Sequence, residues 1–145
     1  MDAAELDRRT RMHTECVPPD LVTYLLGHGH ADVVRDLARD GEWFCARAWA
    51  QHLAEQGRRE EAWGVLAPYV ETGWWTAAGR AAELLDAWGR GEEAIALVRP
   101  YADAGERSAL RDLALLLARH GRAEEAYGLL RPHVGTGSSP SPWWR

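Results

Sequence analysis

The feature that most constrains this sequence is an internal repeat with a constant period. The interval from Gly57 to Gly89 equals the interval from Gly89 to Gly121, and four further columns keep the same register. These columns are Glu61, Glu93 and Glu125; Ala62, Ala94 and Ala126; Pro68, Pro100 and Pro132; and Gly73, Gly105 and Gly137. A fixed period in this range is typical of repeat architectures, in which stacked units bury a continuous core. The sequence therefore predicts three copies of one supersecondary unit.

Each copy is predicted to contain two helices joined by a glycine turn. In the second half of the first copy, apolar residues fall at i, i+3, i+4, i+7 and i+8, which is one face of a helix: Ala62, Val65, Leu66, Tyr69 and Val70. Paired glutamates open this helix in every copy, where the helix dipole favours negative charge. The preceding glycine suits the left-handed residue that ends a helix. The proline column predicts a kink, or a split into two helical pieces, in each second helix.

These residues carry a resemblance to the tetratricopeptide repeat (TPR), whose pattern runs W-x2-L-G-x2-Y, then A-x3-F, then P. The first copy reads Ala46-x2-Trp49-Ala50-x2-Leu53 and Ala62-x3-Leu66, and the other copies follow at the same spacing. The resemblance covers roughly residues 43–137, with a shorter period than the family's and an earlier proline. It implies an all-α fold, a short right-handed α-solenoid of helix-turn-helix repeats.

The repeat register also divides the chain. We expect repeats at 42–73, 74–105 and 106–137, preceded by a degenerate leading hairpin at 20–41. Residues 1–19 are expected to form a loose or lightly docked helix, since Pro18-Pro19 interrupts the chain. Residues 138–145 form a Gly/Ser/Pro tail that ends in Trp143-Trp144-Arg145.

Composition limits the class of partner and the location. The chain has 145 residues and a net charge of −5, so we expect neither nucleic acid nor a membrane as a partner. All 17 basic residues are arginine, and Lys and Asn are absent, which indicates a GC-rich bacterial genome. Without a secretory signal or an apolar span, the expected location is the cytoplasm.

One motif mimics a catalytic metal site. His28-Gly29-His30-Ala31-Asp32 resembles the H-x-H-x-D core of metallo-β-lactamase-fold hydrolases, in which these residue types ligate zinc. That motif continues with a further His, whereas Val33 stands here. A solvated turn between helices is therefore the favoured interpretation, and a metal-dependent hydrolase is the weaker alternative. A looser zinc site built from His13, Cys16, His28 and His30 has no specific ligand spacing. We expect no enzyme activity, no cofactor and no metal.

The TPR resemblance implies that the first helices line a groove that binds peptides. Carried over to this sequence, the groove positions are Arg47, Gln51, Gly79, Glu83, Arg111 and Leu115, with Ala54, Asp86 and Ala118 one turn further on. Trp143 and Trp144 either cap the last hairpin or anchor a partner. The expected function is a non-catalytic protein- or peptide-binding module, an adaptor or scaffold. The alternative is a structural module that forms a homodimer through its repeat ends.

Overall fold

The computed structural model describes residues 2–12 and 16–133, and this part of the chain is all-α, without a β-strand. The predicted fold class is thereby confirmed. The helices are α1 (Ala3–Met12), α2 (Pro19–Gly27), α3 (Ala31–Arg39), α4 (Trp43–Glu55), α5 (Arg59–Val70), α6 (Trp75–Ala87), α7 (Gly91–Asp103), α8 (Arg107–Arg119) and α9 (Ala123–Leu130), followed by a 3₁₀ turn (Arg131–His133). None of these helices combines the length and apolarity needed to cross a membrane.

The helix boundaries repeat with the period of the sequence. Helices α4, α6 and α8 begin one period apart, and so do α5, α7 and α9. Glycines with positive φ recur at half this interval from Gly41 to Gly121. At the end of α4, the Gly57 N–H donates to the Ala54 carbonyl (3.0 Å) and the Arg58 N–H to the Leu53 carbonyl (2.9 Å). This is the Schellman arrangement, which requires a left-handed residue and so explains the glycine column.

An arginine–glutamate pair marks the start of the second helix in every copy. Arg58 Nε donates to Glu61 Oε1 (2.9 Å), Arg90 Nε to Glu93 Oε1 (3.0 Å) and Arg122 Nε to Glu125 Oε2 (2.9 Å). In each pair a second guanidinium nitrogen contacts the same carboxylate. Because the first two pairs are exposed and the third is only half-buried, they fix the turn geometry more than they stabilise the fold.

The prolines behave differently in the three copies. Helices α5 and α7 run through Pro68 and Pro100. Small residues four positions earlier, Gly64 and Ala96, leave space for the proline ring. In the third copy α9 ends at Leu130, and Pro132 lies in the 3₁₀ turn. The predicted split into two helical pieces therefore occurs in the third copy.

Contacts divide the chain into two compact units, Met1–Arg80 and Ala81–Arg145. In the first, consecutive helices pack from α2 to α5, which is the packing of a helical solenoid. Its core contains an aromatic cluster in which Trp43 contacts Tyr69 (5.3 Å between ring centroids) and Trp74 (5.0 Å). Helix α1 docks on this unit: Leu6 is buried, and Asp7 Oδ1 accepts a hydrogen bond from the Trp74 indole at 3.3 Å.

In the second unit α7 packs on α8 and α8 on α9. Val98, Leu113 and Leu117 are fully buried between these helices. Arg99 of α7 also contacts Glu125 of α9 at 2.9 Å. Consecutive packing is therefore common to both units.

Candidate functional site

Two predicted groove residues of the first unit lie on one face of α4, and the third, Gly79, lies in α6. Arg47 and Gln51 are one helical turn apart, and Gln51 Nε2 donates to Glu55 Oε1 (3.2 Å). The Arg47 guanidinium lies 5.4 Å from the centre of the Phe44 ring. Burial, together with the nearby Arg80 charge, lowers the pKa of Arg47 from its ordinary value.

The predicted groove residues of the second unit are exposed. Arg111 and Leu115 lie one turn apart on α8, and Leu115 is 49% exposed. The structure brings Glu83 of α6 into electrostatic range of Asp112, beside Arg111. Burial raises the pKa of Asp112; Arg111 opposes this shift and Glu83 adds to it. The predicted residues Trp143 and Trp144 lie outside the described part of the chain.

A concave feature that sequence reasoning missed lies in the first unit, between α3, α4 and α5. It is an open cleft of about 780 Å³. Charged side chains from α3 and α5 stand beside an apolar surface from α4 and α5. The lining includes Arg35, Arg39, Asp40, Trp49, Leu53, Arg58, Glu61, Val65, Pro68 and Tyr69.

The apolar side of this cleft is held rigidly. Leu53 and Tyr69 are only 1% and 2% exposed. The Tyr69 hydroxyl donates a 2.8 Å hydrogen bond to the Ala38 carbonyl, which ties α5 to α3. Burial, the largest cause, raises the pKa of Tyr69 well above its ordinary value, so the phenol remains protonated as this donor. Trp49, half-buried on α4, stacks on His52 with ring centroids 5.5 Å apart.

The charges in the cleft are unevenly paired. Arg58 is held by Glu61, which neutralises it. Arg35 contacts Asp36, its neighbour in the chain, through Nε at 3.2 Å. Arg39 is exposed and forms no ion pair with any residue in the described ranges. Within the described ranges, the cleft therefore presents one positive charge on α3 without an ion pair, that of Arg39, although the whole chain carries −5.

The His28-x-His30-x-Asp32 motif occupies the turn between α2 and α3. The His28 ring stacks on Tyr24 (3.9 Å between centroids), and its Nδ1 lies 2.8 Å from the Tyr24 carbonyl oxygen. His30 precedes α3, and Asp32 lies in its first turn. Across residues 2–12 and 16–133, no three His, Cys, Asp or Glu side chains are grouped to hold a metal ion. His13, a member of the looser zinc set, lies outside these residues.

Two further groups outside the cleft have a defined chemistry. The Cys45 thiol is fully buried, and burial, with the charge and hydrogen bonding of Glu42, raises its pKa to about 12. It is therefore an unreactive thiol near neutral pH.

His120 Nε2 lies 2.7 Å from Asp86 Oδ1, and Arg119 contacts the other carboxylate oxygen at 3.3 Å. This contact fastens the end of α8 to the end of α6.

Comparison with known proteins adds no family to this description. No family model matches the chain, and neither a curated protein nor a solved structure matches it.

Proposed function

We propose that the protein is a non-catalytic recognition module that binds a peptide segment of another protein. The observation that carries the proposal is the open cleft between α3, α4 and α5. Its volume of about 780 Å³ falls in the range of ligand-binding clefts, and it combines an apolar surface with a few charged groups, as such clefts do.

The rigidity of the cleft supports this function. Binding costs free energy when side chains and loops must first become ordered. Here the apolar side belongs to helices whose neighbouring residues, Leu53 and Tyr69, are buried. The bond from Tyr69 to the Ala38 carbonyl holds the two walls together without a ligand. A peptide would therefore meet a preformed surface.

The repeat organisation supports the same class of function. The TPR-like motifs recur with the same period as the helix boundaries. TPR arrays bind peptides in the groove lined by their first helices. We accordingly propose a divergent TPR-like adaptor or scaffold. The predicted first-helix residues are the second candidate in each unit: Arg47 and Gln51 in the first, and Glu83, Arg111 and Leu115 in the second. The composition supports a place in the cytoplasm of a bacterium with a GC-rich genome.

Selection from a display library of short random peptides tests the proposal on the full chain. Enriched peptides are then measured by fluorescence anisotropy against the wild type and Trp49→Ala in the cleft. Arg111→Ala/Leu115→Ala, on α8, is the matched variant for the first-helix surface. Loss of affinity in Trp49→Ala alone supports the cleft. If only the α8 variant loses affinity, the protein still binds peptides, but the binding site is the first-helix surface and not the cleft. A library without enriched peptides overturns the proposed function.

Self-association is the second candidate function, and a different observation favours it. Leu21 and Tyr24 of α2 and Val33 of α3 are large apolar side chains exposed on the leading hairpin. Exposed apolar patches of this kind commonly mark contact surfaces. Sedimentation velocity at increasing concentration tests this function. A concentration-dependent dimer that Leu21→Glu/Tyr24→Glu abolishes would support it, and a monomer at every concentration would reject it.

A further inference from the structure

We infer that the cleft between α3, α4 and α5 selects acidic peptides, in which neighbouring carboxylates stand next to an apolar side chain. This inference rests on the proposed function and specifies its ligand. It concerns a surface formed mainly by α3 and α5, separate from the α4 face that carries Arg47 and Gln51.

The cationic side of the cleft is a pair of arginines on α3. Arg35 and Arg39 are four residues apart, so their side chains leave the same face of the helix one turn apart. Both line the cleft. Arg39 has no ion pair within the described residues, and the bond from Arg35 to Asp36 uses only Nε. The terminal nitrogens of both guanidinium groups are therefore available to donate to carboxylates in forked geometry.

The other charges of the lining leave Arg39 without an ion pair. Glu61 is held by both arms of Arg58, so it does not compete for Arg35 or Arg39. Asp40, which follows α3, is the remaining carboxylate in the lining. The lining thus holds three arginines against two carboxylates. A basic peptide would meet the unpaired Arg39 charge, whereas an acidic peptide would neutralise Arg39 and accept hydrogen bonds from the free terminal nitrogens of Arg35.

The peptide needs an apolar side chain because the side of the cleft formed by α4 and α5 is apolar. Trp49 of α4 and Pro68 of α5 line the cleft beside the buried Tyr69 ring. An apolar side chain next to the acidic residues would leave water by covering Trp49 and Pro68. The carboxylates alone would gain little, because exposed ion pairs contribute weakly. Affinity and orientation therefore need both parts of the ligand.

Charge reversal on the full chain tests the inference. The same random-peptide library is selected against the wild type, against Arg35→Glu/Arg39→Glu, and against Arg107→Glu/Arg131→Glu. The last variant is the control, because it makes the same charge change at two exposed arginines outside the cleft. Arg35→Gln/Arg39→Gln removes the charges without reversal, and circular dichroism checks that each variant is folded.

The expected result is enrichment of acidic residues next to apolar ones by the wild type and the control. Affinity for these peptides should fall about tenfold or more in both α3 variants, the loss expected when charge-assisted bonds are removed, and the Glu variant should enrich basic peptides. Enriched wild-type peptides that are neutral or basic would overturn the ligand class while leaving peptide recognition intact. Equal losses in the control would also overturn it, because the effect would then come from net charge. A library without enrichment would reject the proposed function itself.

Discussion

The substitution Gly91→Ala gives a sharp test of the contact between α6, α7 and α8. Gly91 is the first residue of α7, and a Cβ placed there would lie 2.3 Å from both Cε1 and Nε2 of His120. The imidazole would have to leave its position, and with it the 2.7 Å contact to Asp86. A methyl group that is harmless in most helices is therefore expected to be destabilising here.

The magnitude follows from opposing terms. Alanine in place of a helical glycine favours the helix by about 0.5–1 kcal/mol, and less in the first turn. Loss of the His120–Asp86 hydrogen bond costs about 1 kcal/mol, and forcing the ring of this partly exposed side chain off its rotamer adds about 0.5–1.5 kcal/mol. The net expectation is a loss of about 1–2 kcal/mol in the free energy of unfolding. For a chain of this size that corresponds to a melting temperature roughly 3–8 °C lower.

The matched control is Gly128→Ala in α9, where an added Cβ would meet nothing within 4 Å. This variant should gain about 0.5–1 kcal/mol. Urea unfolding followed by circular dichroism measures both, and His120→Ala together with the double variant Gly91→Ala/His120→Ala completes the cycle. Without the imidazole, alanine at position 91 should become neutral or stabilising. If Gly91→Ala stabilises the wild type as much as Gly128→Ala does, the ring does not lie on Gly91 and the reasoning fails.

Four other substitutions or treatments have defined expected outcomes. Tyr69→Phe removes the hydrogen bond to Ala38 and should cost about 1 kcal/mol in urea unfolding; equal stability of Tyr69→Phe and the exposed-site control Tyr127→Phe would contradict this. Gly121→Ala, at φ +77° in open space, should lower stability by about 1–2 kcal/mol, since L residues disfavour the left-handed region; a gain like that of Gly128→Ala would refute the turn assignment. Cys45, buried and with its pKa raised to about 12, should react with a thiol reagent in Cys16→Ala only after unfolding, and rapid labelling of the folded protein would count against its burial. Burial raises the pKa of Asp112 in the folded state, so the charged carboxylate opposes folding near neutral pH. Asp112→Asn should therefore raise the melting temperature at neutral pH, and this gain should be lost as the pH falls below the unfolded pKa of about 3.9. A gain in melting temperature that does not depend on pH would exclude this cause.

The repeat was predictable because its signals are local. Each turn needs a glycine with positive φ, and each second helix begins with an arginine–glutamate pair. These residues recur at fixed intervals in the sequence and therefore mark the helix ends. The all-α class follows from these signals and from the apolar spacing. Arg111 and Leu115 are exposed on α8, and their assignment to a peptide-binding groove stays a prediction.

The cleft was not predictable because its walls are set by contacts distant in sequence. Its width depends on the bond between Tyr69 and Ala38, which belong to different hairpins, and Arg35 and Arg39 precede the three repeats. The docking of α1 through Leu6 and Asp7 likewise has no periodic signal.

The contact at His120 left a weaker trace in the sequence. Each of the three residues in this contact differs from the residues at the equivalent positions of the other copies. Asp86 corresponds to Ala54 and Ala118, Gly91 to Arg59 and Ala123, and His120 to Gln56 and Trp88. Three departures that meet in space indicate a contact between copies, but the sequence alone does not reveal that they meet.

The central claim, peptide recognition at the α3–α5 cleft, is tested most directly by nuclear magnetic resonance on the full chain. Each of the eight tryptophans contributes one indole N–H signal, and Trp49→Phe identifies the signal from the cleft. Titration with the most enriched acidic peptide should shift the Trp49 indole and the backbone amides of Arg35, Arg39 and Tyr69. Shifts centred on Arg111 and Leu115 instead, or an unperturbed Trp49 signal at saturating peptide, would contradict the account.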